Sequence, residues 1–136
     1  MKNYIKSLLV VSLGLLFITS CEKDEGNLPT ISFKTGGSYT SSNCTMDTGS
    51  SLTIGINASK AEPKDVLKKI DISTSINGAT ATSVYSKDLT GSEGDIYTYD
   101  YATTLGATPG QTCKYTFTIT NRDGLVNQVS LTVTAQ

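Results

Sequence analysis

Cys113-Lys114-Tyr115-Thr116-Phe117-Thr118-Ile119-Thr120, then Asn121-Arg122-Asp123-Gly124, then Val129-Ser130-Leu131-Thr132-Val133-Thr134: two alternating runs separated by a strong turn signal. Side chains of an extended chain point to opposite faces in turn, so each run has one apolar face to bury and one polar face for water. The turn signal begins with asparagine and ends in glycine, which suits a hairpin loop with Gly124 in a left-handed conformation. This is an antiparallel pair, and its buried face needs something to pack against.

The same period of two recurs upstream. Ile31 and Phe33 alternate with Ser32 and Lys34. Leu52, Ile54, Ile56 and Ala58 alternate with Thr53, Gly55 and Asn57, and Ile70, Ile72, Thr74 and Ile76 with Asp71, Ser73 and Ser75. Breakers fall between the runs, at Gly36-Gly37, Asp47 to Ser50, Asn77-Gly78, Gly91 to Gly94 and Thr108-Pro109-Gly110. Glu62 to Lys69 has the composition of a helix, with Pro63 near its first position, but reads as a short turn between strands. About seven short strands over residues 29–136 predict an all-β, antiparallel two-sheet sandwich.

Composition removes whole classes of function. The 136 residues contain no His, which excludes every Ser-His, Cys-His and His-zinc site. Eleven Lys and Arg against 12 Asp and Glu leave a charge of −1, without the basic footprint that nucleic acid requires. With 38% hydrophobic and 17% charged residues, the chain is a folding one.

The N-terminus reads as an address. Lys2 and Lys6 precede about a dozen mostly apolar residues, Ser7 to Ile18. That run is too short to cross roughly 30 Å of hydrocarbon and fits a signal peptide over residues 1–20. It ends in Ile18-Thr19-Ser20-Cys21, which resembles a bacterial lipobox. The resemblance implies cleavage before Cys21 and acylation of its thiol, palmitate included, with several chains giving stable membrane anchoring. The acidic stretch Glu22-Lys23-Asp24-Glu25 resembles the surface-export signal of Bacteroidetes-type lipoproteins, implying an outer-membrane protein that faces outward. The plainer reading is a solvated linker on a periplasmic lipoprotein. The linker, residues 21–28, keeps the domain close to the membrane: at roughly 3.3 Å per residue it spans about 25 Å.

Pro109-Gly110, the Tyr115–Thr120 strand, Asp123-Gly124 and the Val129–Thr134 strand together resemble the closing strands of bacterial immunoglobulin-like domains, including cadherin-like and polycystic-kidney-type modules. The resemblance implies an immunoglobulin-like sandwich and carries no catalytic residues. With Cys21 assigned to lipid, Cys44 and Cys113 are an even pair in an exported chain and read as a disulfide, against the alternative of two buried thiols. In the immunoglobulin-like topology they fall at one end of the sandwich, and the closed loop would contribute roughly 4 kcal/mol.

Tyr97, Tyr99 and Tyr101 share one face of a strand. Facing out, they form a strip for sugar rings or a protein partner. Facing in, they fill a core that has 3 Phe and no Trp, and they leave Asp100 in water. Tyr39 and Tyr85 extend whichever cluster forms. Glu93, Asp95, Asp100 and Asp123 lack the spacing of a calcium loop, and Glu93 with Asp95 lacks a cleft for glycoside hydrolysis. No metal, cofactor or catalysis is expected. The sequence points to a monomeric, lipid-anchored binding or adhesion module for a glycan or protein ligand. Its rival is an accessory subunit docking through a sheet edge near Ile31 or Val129. In the first reading, contact falls to the loops Ala61–Leu67, Lys87–Gly94 and Asn121–Gly124, expected together at one end.

Overall fold

The structure, a computed structural model, describes residues 26–136. The expected signal peptide and the expected lipidation site, Cys21, lie outside the described residues. Eight strands follow one another: β1 (Thr30–Phe33), β2 (Cys44–Met46), β3 (Ser51–Ser59), β4 (Leu67–Ile76), β5 (Thr82–Asp88), β6 (Ile96–Thr104), β7 (Thr112–Asn121) and β8 (Val126–Ala135), with a 3-10 turn at Gly91–Gly94. They form a three-stranded sheet, β1-β3-β6, and a five-stranded sheet, β2-β8-β7-β4-β5. This is the immunoglobulin-like sandwich, one strand richer than expected. All pairings are antiparallel except β2 with β8.

The alternating residues meet between the sheets. Ile54 and Ile56 of β3, Ile70 and Ile72 of β4, Phe117 and Ile119 of β7 and Val133 of β8 are all fully buried. Each such side chain contributes roughly 1.5–3 kcal/mol relative to exposure. Phe33 meets Phe117 edge-on, with centroids 5.9 Å apart, so the short β1 is fastened across the gap as well as to β3.

Local chemistry sets the hairpins. Asn77 (φ 50°) and Gly78 (φ 74°) both lie in the left-handed region, and Ala79 N–H donates to the Ile76 carbonyl at 2.9 Å. This two-residue turn matches the twist of β4 and β5. Between β7 and β8, Gly124 takes φ 83° and its N–H donates to the Asn121 carbonyl, as the sequence predicts. The Asn121 side chain is buried: its amide donates to Asp65 at 2.7 Å, and its Oδ1 accepts from Leu125 N–H at 2.8 Å. Glu62–Lys69 forms no helix. It is a turn running into β4, fixed by Asp65, by Arg122 N–H to the Val66 carbonyl, and by the Arg122 guanidinium to the Lys64 carbonyl.

The expected disulfide is not made: Cys44 and Cys113 are free thiols. Both stand opposite Val133, one on each side of it. Strands lie about 4.8 Å apart, so the two Cα atoms are about 9.5 Å apart. A disulfide tolerates no more than about 7 Å. The cysteines do share one end of the sandwich, with a whole strand between them.

Candidate functional site

The three tyrosines of β6 have three different surroundings. Tyr97 is buried, its hydroxyl 3.5 Å from that of Tyr85 on β5. Tyr99 is half-buried and stacks on Tyr85, with centroids 4.5 Å apart and planes 16° from parallel. Tyr101 is half-buried and tilts against Tyr115 and Phe117, both centroids 6.2 Å away. All three point inward, as the parity of Asp100 requires. They do not form an outward strip.

They line a seam instead. β6 ends one sheet and β5 ends the other, and these two edges close the same side of the sandwich. Near Tyr97 and Tyr99 the seam is shut by the Tyr85 stack. Beyond Tyr101 it opens into a cleft of about 300 Å³. Tyr101 and Tyr115 line it, with Thr74, Thr103 and Gln111. Ile76 and Val84, 45% and 46% exposed, belong to the same lining and are among the few large apolar side chains left in water.

Burial favours the neutral form of three of these phenols. It pushes the Tyr97 and Tyr99 hydroxyls above the usual tyrosine range, with the neighbouring Tyr85 adding to both. It raises Tyr115 likewise, with the Cys113 thiol as a secondary cause.

Gly106 shapes the mouth of the cleft. A Cβ there would overlap the Gln111 carboxamide oxygen, so glycine lets that side chain lie across the loop between β6 and β7. Cys113, which the sequence suggests as a crosslink, is part of the cleft wall.

The candidate carboxylates are paired with cations. Asp100 bonds the Lys34 ammonium at 2.6 Å and the Tyr39 hydroxyl at 3.0 Å. The Lys34 hydrogen bond chiefly holds the Asp100 carboxyl below its ordinary range. Glu93 pairs with Lys87, which lowers it in the same way, and Asp95 pairs with Lys60. Among the described residues no group of three or more Cys, Asp or Glu converges as a metal site.

The ends of the sandwich have opposite characters. The chain enters where Asn27 reaches Glu62, Asn127 donates to the Pro29 carbonyl at 2.8 Å and Gly26 lies against Leu125. Ala61–Leu67, Lys87–Gly94 and Asn121–Gly124 do gather at one end, tied by Leu89 N–H to Lys68 and Arg122 N–H to Val66. It is the entry end, so these loops lie beside the linker and not far from it. The cleft lies at the other end, among residues 76–84 and 101–115. Of the two expected docking edges, β1 with Ile31 is an edge. β8 lies inside its sheet order, but only Val133–Ala135 pair with β2, so Val126–Thr132, with half-buried Val129, lack it as a neighbour.

A scan against protein-family models finds no match, and neither does a search of curated proteins. Among solved structures, two of the superoxide reductase (neelaredoxin) from Ignicoccus hospitalis are similar, with TM-scores of 0.51 and 0.50. Each is 8% identical, over 81% of this chain and 81% of that one. At that identity the likeness shows the two-sheet fold alone.

Proposed function

We propose that this chain is a lipid-anchored envelope protein, tethered through Cys21, displaying an immunoglobulin-like domain outward to bind a ligand without catalysis. The observation that carries the reading is the polarity of the domain. The chain enters at one end, next to residues 61–67 and 121–124, and the open cleft lies at the other. A short linker from Cys21 would hold the entry end against the membrane and point the cleft away from it. Confinement to a surface then supplies avidity that a single shallow site lacks. The contact residues in this reading are those of the cleft, not the loops that gather beside the linker.

The test uses the full chain in a diderm bacterium fed an alkyne-tagged palmitate. Wild type takes up label in the outer-membrane fraction, and protease added to intact cells removes the domain. Cys21→Ala abolishes the label. An unlabelled wild type overturns the anchor, and a domain protected until the outer membrane is breached overturns the outward orientation.

Docking into a larger envelope assembly is the rival reading, favoured by Ile96, 67% exposed on the edge strand β6. Light scattering on the detergent-solubilised protein separates them: a monomer in Ile96→Ser and wild type alike removes self-assembly through that edge.

A further inference from the structure

We propose that the far-end cleft takes a neutral sugar ring, as the terminal unit of an uncharged glycan. This rests on the binding-module reading above and names its ligand class.

The lining argues for it on three counts. First, it contains no charged side chain: it is threonine, tyrosine, glutamine, cysteine, glycine, isoleucine and valine. A carboxylate, sulfate or ammonium placed here would give up water and find no counter-ion, which favours an uncharged ligand. Second, the polar groups that line the cleft match the donor and acceptor pattern of a polyol. Thr74 and Thr103 each carry a hydroxyl that both donates and accepts, and the Gln111 carboxamide offers both functions from one planar group. Third, Ile76 and Val84 supply the apolar surface that a sugar's C–H face covers, together with the half-buried Tyr101 ring. Ile76 continues the inward face of Ile70 and Ile72 past the end of the core, and Val84 stands at the β4–β5 bulge, so both are left exposed beside the cleft. A volume of about 300 Å³ stands at the small end of ligand pockets, suited to one ring and part of its neighbour.

Gly106 gives the site a positioning element. Because a Cβ there would overlap the Gln111 oxygen, Gly106 allows the carboxamide its place at the mouth. Gly106→Ala therefore moves Gln111 without deleting it.

The experiment screens the full chain, in detergent, on an array of neutral oligosaccharides, sialylated and uronic-acid-bearing glycans, and control peptides. Hits are followed by calorimetry on wild type, Gln111→Ala, Thr103→Val and Gly106→Ala. The expected result is binding to neutral glycans. Each variant weakens it about tenfold, the loss of one or two good hydrogen bonds. Melting temperatures of Gln111→Ala and Thr103→Val stay within a degree or two of wild type, which separates contact from misfolding. Neutral-glycan binding indifferent to all three variants overturns the cleft assignment. Binding confined to charged glycans or peptides, and lost in the variants, overturns the neutral-sugar class while leaving the binding module standing. Silence in every arm overturns the neutral-sugar assignment of the cleft.

Discussion

Asn121 ties three segments together. Its amide donates to Asp65 and its oxygen accepts from Leu125 N–H, while its backbone ends β7. Only 1% of it is exposed, so water cannot replace what a truncation removes. Asn121→Ala is expected to cost about 2–4 kcal/mol, read as a lower urea midpoint at an unchanged m-value. Asp100 and Glu93 predict the response to acid. Lys34 and Lys87 hold their carboxyls below the ordinary range in the folded chain. A depressed folded pKa means that the unfolded state takes up the proton first as pH falls. The stability they contribute is complete above the ordinary carboxylate range and is lost as pH drops through the folded values. Both groups are exposed and screened, so the effect is small. Chemical denaturation at pH 7 and pH 3 should show a smaller acid loss in Asp100→Asn than in wild type. The sequence already carries part of this: Asp100 is wet because Tyr99 and Tyr101 are not. Its partners were not legible, because Lys34 and Tyr39 lie more than 60 positions away in the chain. The one local signal was Gly55, a glycine inside an alternating strand. A Cβ there would come within 2.7 Å of Lys34 and Tyr39 and 2.9 Å of Asp100.

At the scale of elements, strict alternation marked β3, β4, β7 and β8, since burial of one face demands it. β2 and β5 escaped for the opposite reason. β2 is three residues long, and β5 is an edge strand whose Thr82, Ser83 and Val84 face water, so neither has an apolar period to read. The disulfide expectation failed through register: same-end placement was right, but Val133 of β8 lies between Cys44 and Cys113. The expected outcome is two reactive thiols per domain once the chain is unfolded in urea under thiol-trapping conditions. Dithiothreitol should leave the melting temperature unchanged, and a drop of several degrees would reveal a crosslink. The turn between β4 and β5 gives a second check. Gly78→Ala forces a Cβ onto φ 74° and should cost about 1 kcal/mol without altering the fold, read by thermal melting.

Across the whole molecule, the tyrosines join the two sheets. Tyr97 and Tyr99 face Tyr85 from the opposite sheet, and Tyr101 faces Tyr115. Burial raises Tyr97, Tyr99 and Tyr115 above the ordinary tyrosine range. A raised folded pKa contributes stability that is present below the ordinary value of about 10 and is lost as pH rises through the folded values. In an alkaline titration followed by tyrosinate absorbance, these three should ionise together with the collapse of near-UV circular dichroism. Ionisation complete before that collapse would mean that the seam is open to water. The fold class was legible at this scale because a two-sheet sandwich is what buries so many period-two faces. The cleft was not. It depends on how far β5 and β6 part beyond the Tyr85–Tyr99 stack, and on a glycine and a glutamine brought together across a loop.

Strand β1 enters from the linker end and runs alongside β3 for four residue pairs, Thr30 with Ser59 through Phe33 with Ile56. If a captured ligand tugs the far end while the lipid holds the near one, the tension runs lengthwise down that short ladder. Its bonds are then sheared all at once instead of unzipped singly. Thr30–Phe33, with Phe33 wedged against Phe117, would be the part of the domain that sets how hard a cell can be pulled before its grip gives way.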